Sequence, residues 1–252
     1  MTKYTIYKAF EKKFPFQIWK IVADTSTQLL GVELRGDGTQ HAILYVLDFQ
    51  GNLLLENLQL PEKEWTLEAL QHQTIVLKRV GDSHPVKEGI HLLDIQGQTR
   101  YLSHEYTWVD TYLHYLKVRH RSLQSGFEEY IDIRDAKKVR QTSPIPEEFC
   151  TAVKMPIPYT GKLPDYLPHI LPPDQADIPW VSRAHDKLIW SYHHKDGQHY
   201  HLNLCISDTS KLLYEQRLLT DMPKMIPQPY FQVGNQIFLM SYNKQEIVSY
   251  LV

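Results

Sequence analysis

Little in this 252-residue chain supplies covalent or membrane constraint. Cysteine is nearly absent, with only Cys150 and Cys205 present. Two thiols are no disulfide framework for a chain this long, so they read as ordinary thiols of a reducing compartment. No stretch approaches the ~20 consecutive apolar residues needed to span a bilayer, and the first eight residues lack the apolar run of a signal peptide. These two absences predict a cytoplasmic protein. Charge of one sign is missing as well: 27 Lys and Arg stand against 29 Asp and Glu, a net charge of −2. That balance gives no general attraction to polyanions, so neither nucleic acid nor an anionic membrane is expected as a partner. Catalytic signatures are lacking too. The chain has no G-x-S-x-G elbow, no glycine-rich phosphate loop, no H-E-x-x-H helix and no paired-cysteine metal site.

What the chain does have is a recurrence of aromatic residues, each opening a strand-like segment: Trp19, Trp65, Trp108, Trp180 and Tyr230. The first two units align without a gap onto Leu47-Asp48-Phe49-Gln50-Gly51 and Leu93-Asp94-Ile95-Gln96-Gly97. Units of about 45 residues with several short strands each predict a β-propeller, here five-bladed with four antiparallel strands per blade. The predicted strands are Ile18–Ala23, Leu30–Leu34, Ala42–Phe49 and Leu53–Leu60, then Thr66–Leu70, Thr74–Val80, Gly89–Ile95 and Thr99–His104. The segment from Glu62 to Gln71 also fits a short helix, but the alignment favours a strand. The third unit has Val109–Arg119 and Glu129–Ile133. The fourth has Val181–Ala184, Lys187–His193, His199–Ile206 and Lys211–Leu218, and the fifth has Tyr230–Val233, Gln236–Tyr242 and Glu246–Val252.

The fifth unit lacks a fourth strand, while Tyr4–Phe10 alternates apolar residues without a unit of its own. Pairing of that segment with Glu246–Val252 is therefore expected to close a single domain spanning residues 1–252 and to remove an open sheet edge. The interval from Trp108 to Trp180 exceeds the others by about 25 residues, and nine of the fifteen prolines fall between Pro144 and Pro179. Proline removes ladder donors, so residues 142–179 read as an insertion, with an added edge strand over Phe149–Met155 as an option.

The candidate chemistry is sparse. Asp48, Asp94 and Asp132 recur where a strand enters a turn, and an aspartate there is expected to accept backbone N–H groups. The recurring aromatics are expected to fill the space between sheets, with an exposed sugar- or peptide-binding platform as the alternative. The sharpest local feature is Tyr192-His193-His194-Lys195-Asp196-Gly197-Gln198-His199-Tyr200-His201. An Asp196-Gly197 hairpin turn sets His194 opposite His199 and Tyr192 opposite His201. Alternation then places His194, His199 and His201 on one face, and His193 with Tyr200 on the other. Three such imidazoles are candidate Zn²⁺ ligands, although a solvated hairpin without any cofactor is the expected reading. The loops between second and third strands, which share a propeller face with the loops between blades, carry Asp37 and His41, His84 and Lys87, Arg119, His120 and Arg121, and His194 and Lys195. These make that face a candidate for an anionic group, more positive below about pH 6.5.

With aromatic-led units and Leu-Asp-Phe-Gln-Gly turns, the chain resembles the β-propeller superfamily. The turns at Asp48–Asn52 and Asp94–Gln98 are similar to third-to-fourth-strand turns of quinoprotein-like and WD-type propellers. No Trp-Asp pair closes a strand and no Gly-His pair opens a unit, so no WD-repeat residue carries over. The chain is also similar to a compact bacterial family of unknown function. The resemblance implies a fold without a catalytic residue. The expected function is a monomeric, non-enzymatic scaffold for a protein or small-molecule ligand. The alternative is a hydrolase or lyase drawing carboxylates and histidines from several blades.

Overall fold

The computed structural model describes residues 4–36, 41–81, 88–123, 127–139, 152–165 and 177–252. They form antiparallel sheets of four or five strands, and among them no helix is long and apolar enough to cross a membrane. Contacts divide the chain into two units, Phe14–Ala152 and Met1–Lys13 with Val153–Val252.

In the unit Phe14–Ala152, three sheets follow one another, and each is a meander in chain order. The first comprises β2 (Gln17–Asp24), β3 (Leu29–Arg35), β4 (Ile43–Asp48) and β5 (Leu53–Gln59). The second comprises β6 (Trp65–Gln71), β7 (Thr74–Val80), β8 (Glu88–Asp94) and β9 (Thr99–Ser103). The third comprises β10 (Tyr106–Thr111), β11 (Tyr115–His120), β12 (Glu128–Asp132) and β13 (Lys138–Val139). In the first two sheets the second and third strands are buried on both faces, which is why β3, β4, β7 and β8 read as near-continuous apolar runs. Fourth strands are mostly exposed. Leu44, Val46, Leu67, Leu70 and Leu77 pack the first sheet on the second. Val76, Leu92, Tyr106, Leu116 and Ile131 pack the second on the third. The segment from Glu62 is a strand where it is regular, not a helix.

Two expectations are corrected here. The segment Val109–Arg119 is not one strand but parts of two, β10 and β11, joined at Tyr112–His114, where the Tyr112 N–H donates to the Tyr115 carbonyl at 2.8 Å. No glycine, proline or asparagine marks that turn. The second correction concerns Trp19. Ile18 lies opposite Leu34 and Trp65 opposite Arg79, at equal distances into β3 and β7 counted from Leu29 and Thr74. Ile18, not Trp19, thus occupies the place of Trp65. Trp19 is the extra residue of a β-bulge between Ile18 and Lys20 and is 69% exposed, whereas Trp65 is 2% exposed. The gap-free alignment concealed a longer first hairpin partly offset by a shorter later connection. Trp65 and Tyr230 are buried and Trp108 and Trp180 half-buried, so the packing role holds for part of the set.

The expected turn chemistry is present. Asp48 Oδ1 accepts the N–H groups of Gln50 (2.9 Å) and Asn52 (2.8 Å), and Asp94 Oδ1 those of Gln96 (3.0 Å) and Gln98 (2.8 Å). Asp132 Oδ1 accepts the Arg134 N–H at 2.9 Å. A fourth aspartate had no recurrence to announce it. Asp24 is fully buried and accepts from Ser26, Thr27 and the Gln73 N–H of the next sheet. Burial raises its carboxyl pKa, but the bonds from Ser26, Thr27 and Gln73 outweigh that and hold it below the ordinary 3.8. A depressed folded-state pKa stabilises the fold above the unfolded value, and that contribution disappears as pH falls through the folded one. Asp24→Asn is therefore expected to flatten the pH dependence of stability below about pH 4. Urea midpoints measured from pH 2.5 to 6 check this, and parallel curves for the two proteins would count against it.

In the other unit, one sheet runs β15 (Ile157–Pro158), β16 (Trp180–Ala184), β17 (Lys187–Asp196), β18 (His199–Ser207), β19 (Leu212–Met222). The second runs β1 (Tyr7–Lys13), β22 (Glu246–Leu251), β21 (Gln236–Met240), β20 (Phe231–Val233), β14 (Val153–Lys154). The N-terminal strand thus pairs antiparallel with the last one, as expected, but over Tyr7–Lys13 rather than Tyr4–Phe10. Tyr4 and Ile6 instead pack on the apolar cluster of this unit. A register shift between Lys8 and Phe10 turns Phe10 inward onto Phe238, with ring centroids 6.3 Å apart. Of the expected Phe149–Met155 strand, Val153–Lys154 is present on β20; residues 149–151 and Cys150 lie outside the described residues. Cys205 is buried, which pushes its thiol pKa up to about 12.

Candidate functional site

The described residues open a cleft of about 340 Å³ in the unit Phe14–Ala152, lined by His104, Glu105, His120, Arg121 and Ser122. Its floor is set by pairing at the mouth of the third sheet, where Tyr106 lies opposite His120 with their rings perpendicular at 5.4 Å. Beyond β11 the chain turns at once. The Arg121 N–H donates to the Glu105 carbonyl at 2.8 Å and the Leu123 N–H to the His120 carbonyl at 3.1 Å. His120 Nδ1 accepts the Ser122 N–H at 3.3 Å and lies 2.6 Å from the Ser122 hydroxyl. This network assigns the ring proton to Nε2, leaving an N–H donor on the side away from Ser122.

The opposite wall is the connection between β9 and β10. There Arg121 donates one N–H to the His104 carbonyl at 2.8 Å, which orients the guanidinium without using all five donors. The His104 ring rests on Trp65 at 6.0 Å, and Trp65 in turn meets His91 at 5.5 Å. His104 Nδ1 is enclosed with no hydrogen-bond partner. Gly89 makes room for it, since a Cβ there would stand 2.8 Å from that nitrogen. His91 is held below the ordinary histidine pKa by burial, with the charge of His104 adding to the effect. The cleft therefore presents one oriented cation, an imidazole N–H, a hydroxyl and one carboxylate, with a second imidazole behind.

The positions expected from sequence distribute unevenly. His120 and Arg121 line the cleft, while Arg119 lies on the other face of β11, opposite Thr107 and Glu128. His41 is half-buried at the start of the first sheet's third strand, its Nδ1 enclosed and without a hydrogen-bond partner. Asp37, His84 and Lys87 lie outside the described residues. His104, Glu105 and Ser122 escaped residue-level reading. His104 and Glu105 sit in a loop between units, the class already placed on the same face as the second-to-third-strand loops, so that rule held the signal.

The histidine hairpin belongs to the other unit. Its loop is Gly197-Gln198, with Gly197 at φ +58°, rather than Asp196-Gly197. A glycine leading a two-residue loop suits the type II′ turn. The register moves accordingly: His194 faces His201 and Asp196 faces His199. Because the register moves by two residues, one full side-chain period, His194, His199 and His201 keep one face. The rings of His194 and His201 lie 6.3 Å apart at 20°, and His201 Nδ1 accepts the Asp221 N–H at 3.2 Å. Among the described residues no group of three or more His, Cys, Asp or Glu is placed to share a metal ion. The opposite face holds the best-buttressed imidazole of this unit. His193 is 1% exposed, its N–H donates to Asp177 Oδ1 at 2.7 Å, its Nδ1 lies 2.6 Å from Asp177 Oδ2, and its Nε2 accepts the Ile226 N–H. With every polar atom engaged, this group pins the end of the proline-rich segment to β17.

Consecutive antiparallel meanders, four strands to a sheet with the outermost strand exposed, are the construction of propeller blades. The described residues are all-β, in antiparallel sheets of four or five strands built as such blades are. No protein-family model matches the chain, and no curated protein matches it in sequence. Solved structures similar to it include the beta-propeller domain of the Trilobed protease from Pyrococcus furiosus, at 10% identity and TM-score 0.32, covering 90% of this chain and 64% of that one. An uncharacterized protein from Listeria monocytogenes matches at 11% identity and TM-score 0.32, covering 90% and 76%. Prolyl oligopeptidase B from Galerina marginata matches at 12% identity and TM-score 0.34, covering 95% and 32%. The chain thus spans less than two thirds of the first of these and about a third of the last.

Proposed function

We propose that this protein is a non-enzymatic binding scaffold whose His104–Ser122 cleft takes an anionic group. The observation that supports this is Arg121, fixed by the His104 carbonyl beside the Nε2–H of His120. Oriented donors around an open cleft suit a phosphate or carboxylate on a protein or small-molecule partner. The alternative, a hydrolase or lyase, would draw on His104, Glu105 and His120 of the same cleft. The wider reading is a single domain of five blades, closed into a ring by the pairing of β1 with β22, monomeric and cytoplasmic.

The test uses inorganic phosphate as probe, followed through the histidine ring signals by NMR. Saturable shifts of His104 and His120 are expected, with binding weakened about tenfold or more by Arg121→Ala, the worth of one charge-assisted bond. Binding should strengthen in Glu105→Gln, which removes the opposing carboxylate. Absence of saturable shifts in the wild type, or equal affinity in Arg121→Ala, would refute the reading.

A further inference from the structure

The turn between β6 and β7 is built from His72 and Gln73, both in the left-handed region at φ 49° and 59°. Two-residue hairpin loops of this shape are ordinarily Asn-Gly or Asp-Gly, because only small or turn-adapted residues reach such angles cheaply. Histidine is among the residues that reach them more readily than most. What the turn delivers is contact: His72 Nε2 lies 2.7 Å from His114 Nδ1, in the turn between β10 and β11. The ring centroids are 4.8 Å apart and the planes differ by 18°. A ring nitrogen sits about 1.2 Å from its centroid, so a short N···N contact at this centroid distance means rings nearly edge to edge in one plane, not face to face. One proton is shared along that line, and the two nitrogens converge.

We propose that His72 and His114 form a two-imidazole chelate for a late first-row divalent ion, Cu²⁺ in preference to Zn²⁺. Two imidazole nitrogens bound at about 2.0 Å lie roughly 2.8 Å apart in a square-planar cis arrangement and about 3.3 Å apart in a tetrahedral one. The separation present is close to the first. Capture of the ion displaces the shared proton and asks the nitrogens to part only slightly. The rings must turn until both lone pairs meet the metal, which half-buried turn residues permit. Water fills the remaining positions. Around the pair, Asp132 is held by Arg134 at 2.6 and 2.9 Å and its charge also faces His114, Tyr115 meets His114 edge-on at 6.3 Å, and the Gln73 N–H is engaged by Asp24.

The test is a Cu²⁺ titration of the full chain, followed by calorimetry and electron paramagnetic resonance. One equivalent is expected to bind, with hyperfine coupling to two nitrogens. His72→Asn keeps a residue suited to positive φ while removing the imidazole, so its folding should be preserved. It and His114→Gln should each bind about tenfold or more weakly, since loss of a ligand costs at least what loss of an outer-shell partner does. A variant with His194, His199 and His201 all changed to Ala should keep the site. Copper binding unchanged in His72→Asn and His114→Gln, or abolished by the hairpin substitutions instead, would overturn the proposal, as would the absence of a stoichiometric site.

Discussion

Glu33→Ala is expected to cost the fold about 3–5 kcal/mol, the penalty of breaking a buried charge network by removing one partner. Glu33 is fully buried in β3 and receives three donors: Arg35 Nε at 2.6 Å, the Thr66 hydroxyl at 2.7 Å and the Leu67 N–H at 2.7 Å. Arg35 then donates to the carbonyls of Lys63 (3.2 Å) and Trp65 (3.0 Å). β6 is the first strand of its sheet, so one of its edges has no ladder partner. Glu33 and Arg35 occupy that edge from the neighbouring sheet, satisfying backbone groups that would otherwise be buried and unpaired. Alanine leaves the Leu67 N–H and the Arg35 guanidinium without their acceptor. Glutamine restores one acceptor for Leu67 but sets an amide N–H group against Arg35, so an intermediate loss is expected. Urea unfolding measures all three proteins, and a loss below about 1 kcal/mol for Glu33→Ala would mean the network is dispensable.

Removal of residues 1–13 is expected to be more damaging still. It strips β1 from β22, takes Phe10 from its contact with Phe238, and withdraws Tyr4 and Ile6 from the cluster built on Leu202, Leu204 and Ile237. Loss of a single buried phenylalanine side chain already costs about 3–5 kcal/mol, and the truncation also exposes β22 as a new open edge. The expected result is loss of the cooperative transition, followed by circular dichroism during thermal unfolding. Tyr7→Ser, at a position 66% exposed on the same strand, is the control and should melt like the wild type. A truncated protein that unfolds cooperatively at an unchanged midpoint would remove the basis for ring closure through β1.

Much of the fold was legible in the chain because strand periodicity and turn chemistry are local. Asp48, Asp94 and Asp132 announce their turns by position, since an aspartate entering a tight turn has few other partners for its oxygens. The pairing of the first strand with the last followed from counting strands. Register was harder. Trp19 and Trp65 share a spacing to the next motif, yet a hairpin loop two residues longer, only partly offset by a later connection one residue shorter, puts Ile18 where Trp65 sits. The histidine hairpin shows the same limit on a smaller scale, because Asp-Gly and Gly-Gln both make acceptable loops and only the ladder decides between them.

Within the candidate site, the sequence by itself pointed to His120 and Arg121, which stand at the end of β11 and in the turn after it. Only the tertiary structure decided that Arg119 turns away, that His104 and Glu105 supply the second wall, and that His72 meets His114. The reason is physical. Alternation along one strand is encoded in neighbouring residues, but which loops come within hydrogen-bonding distance depends on how sheets pack, and that packing is fixed by contacts such as Glu33 with Leu67, between residues far apart in the chain.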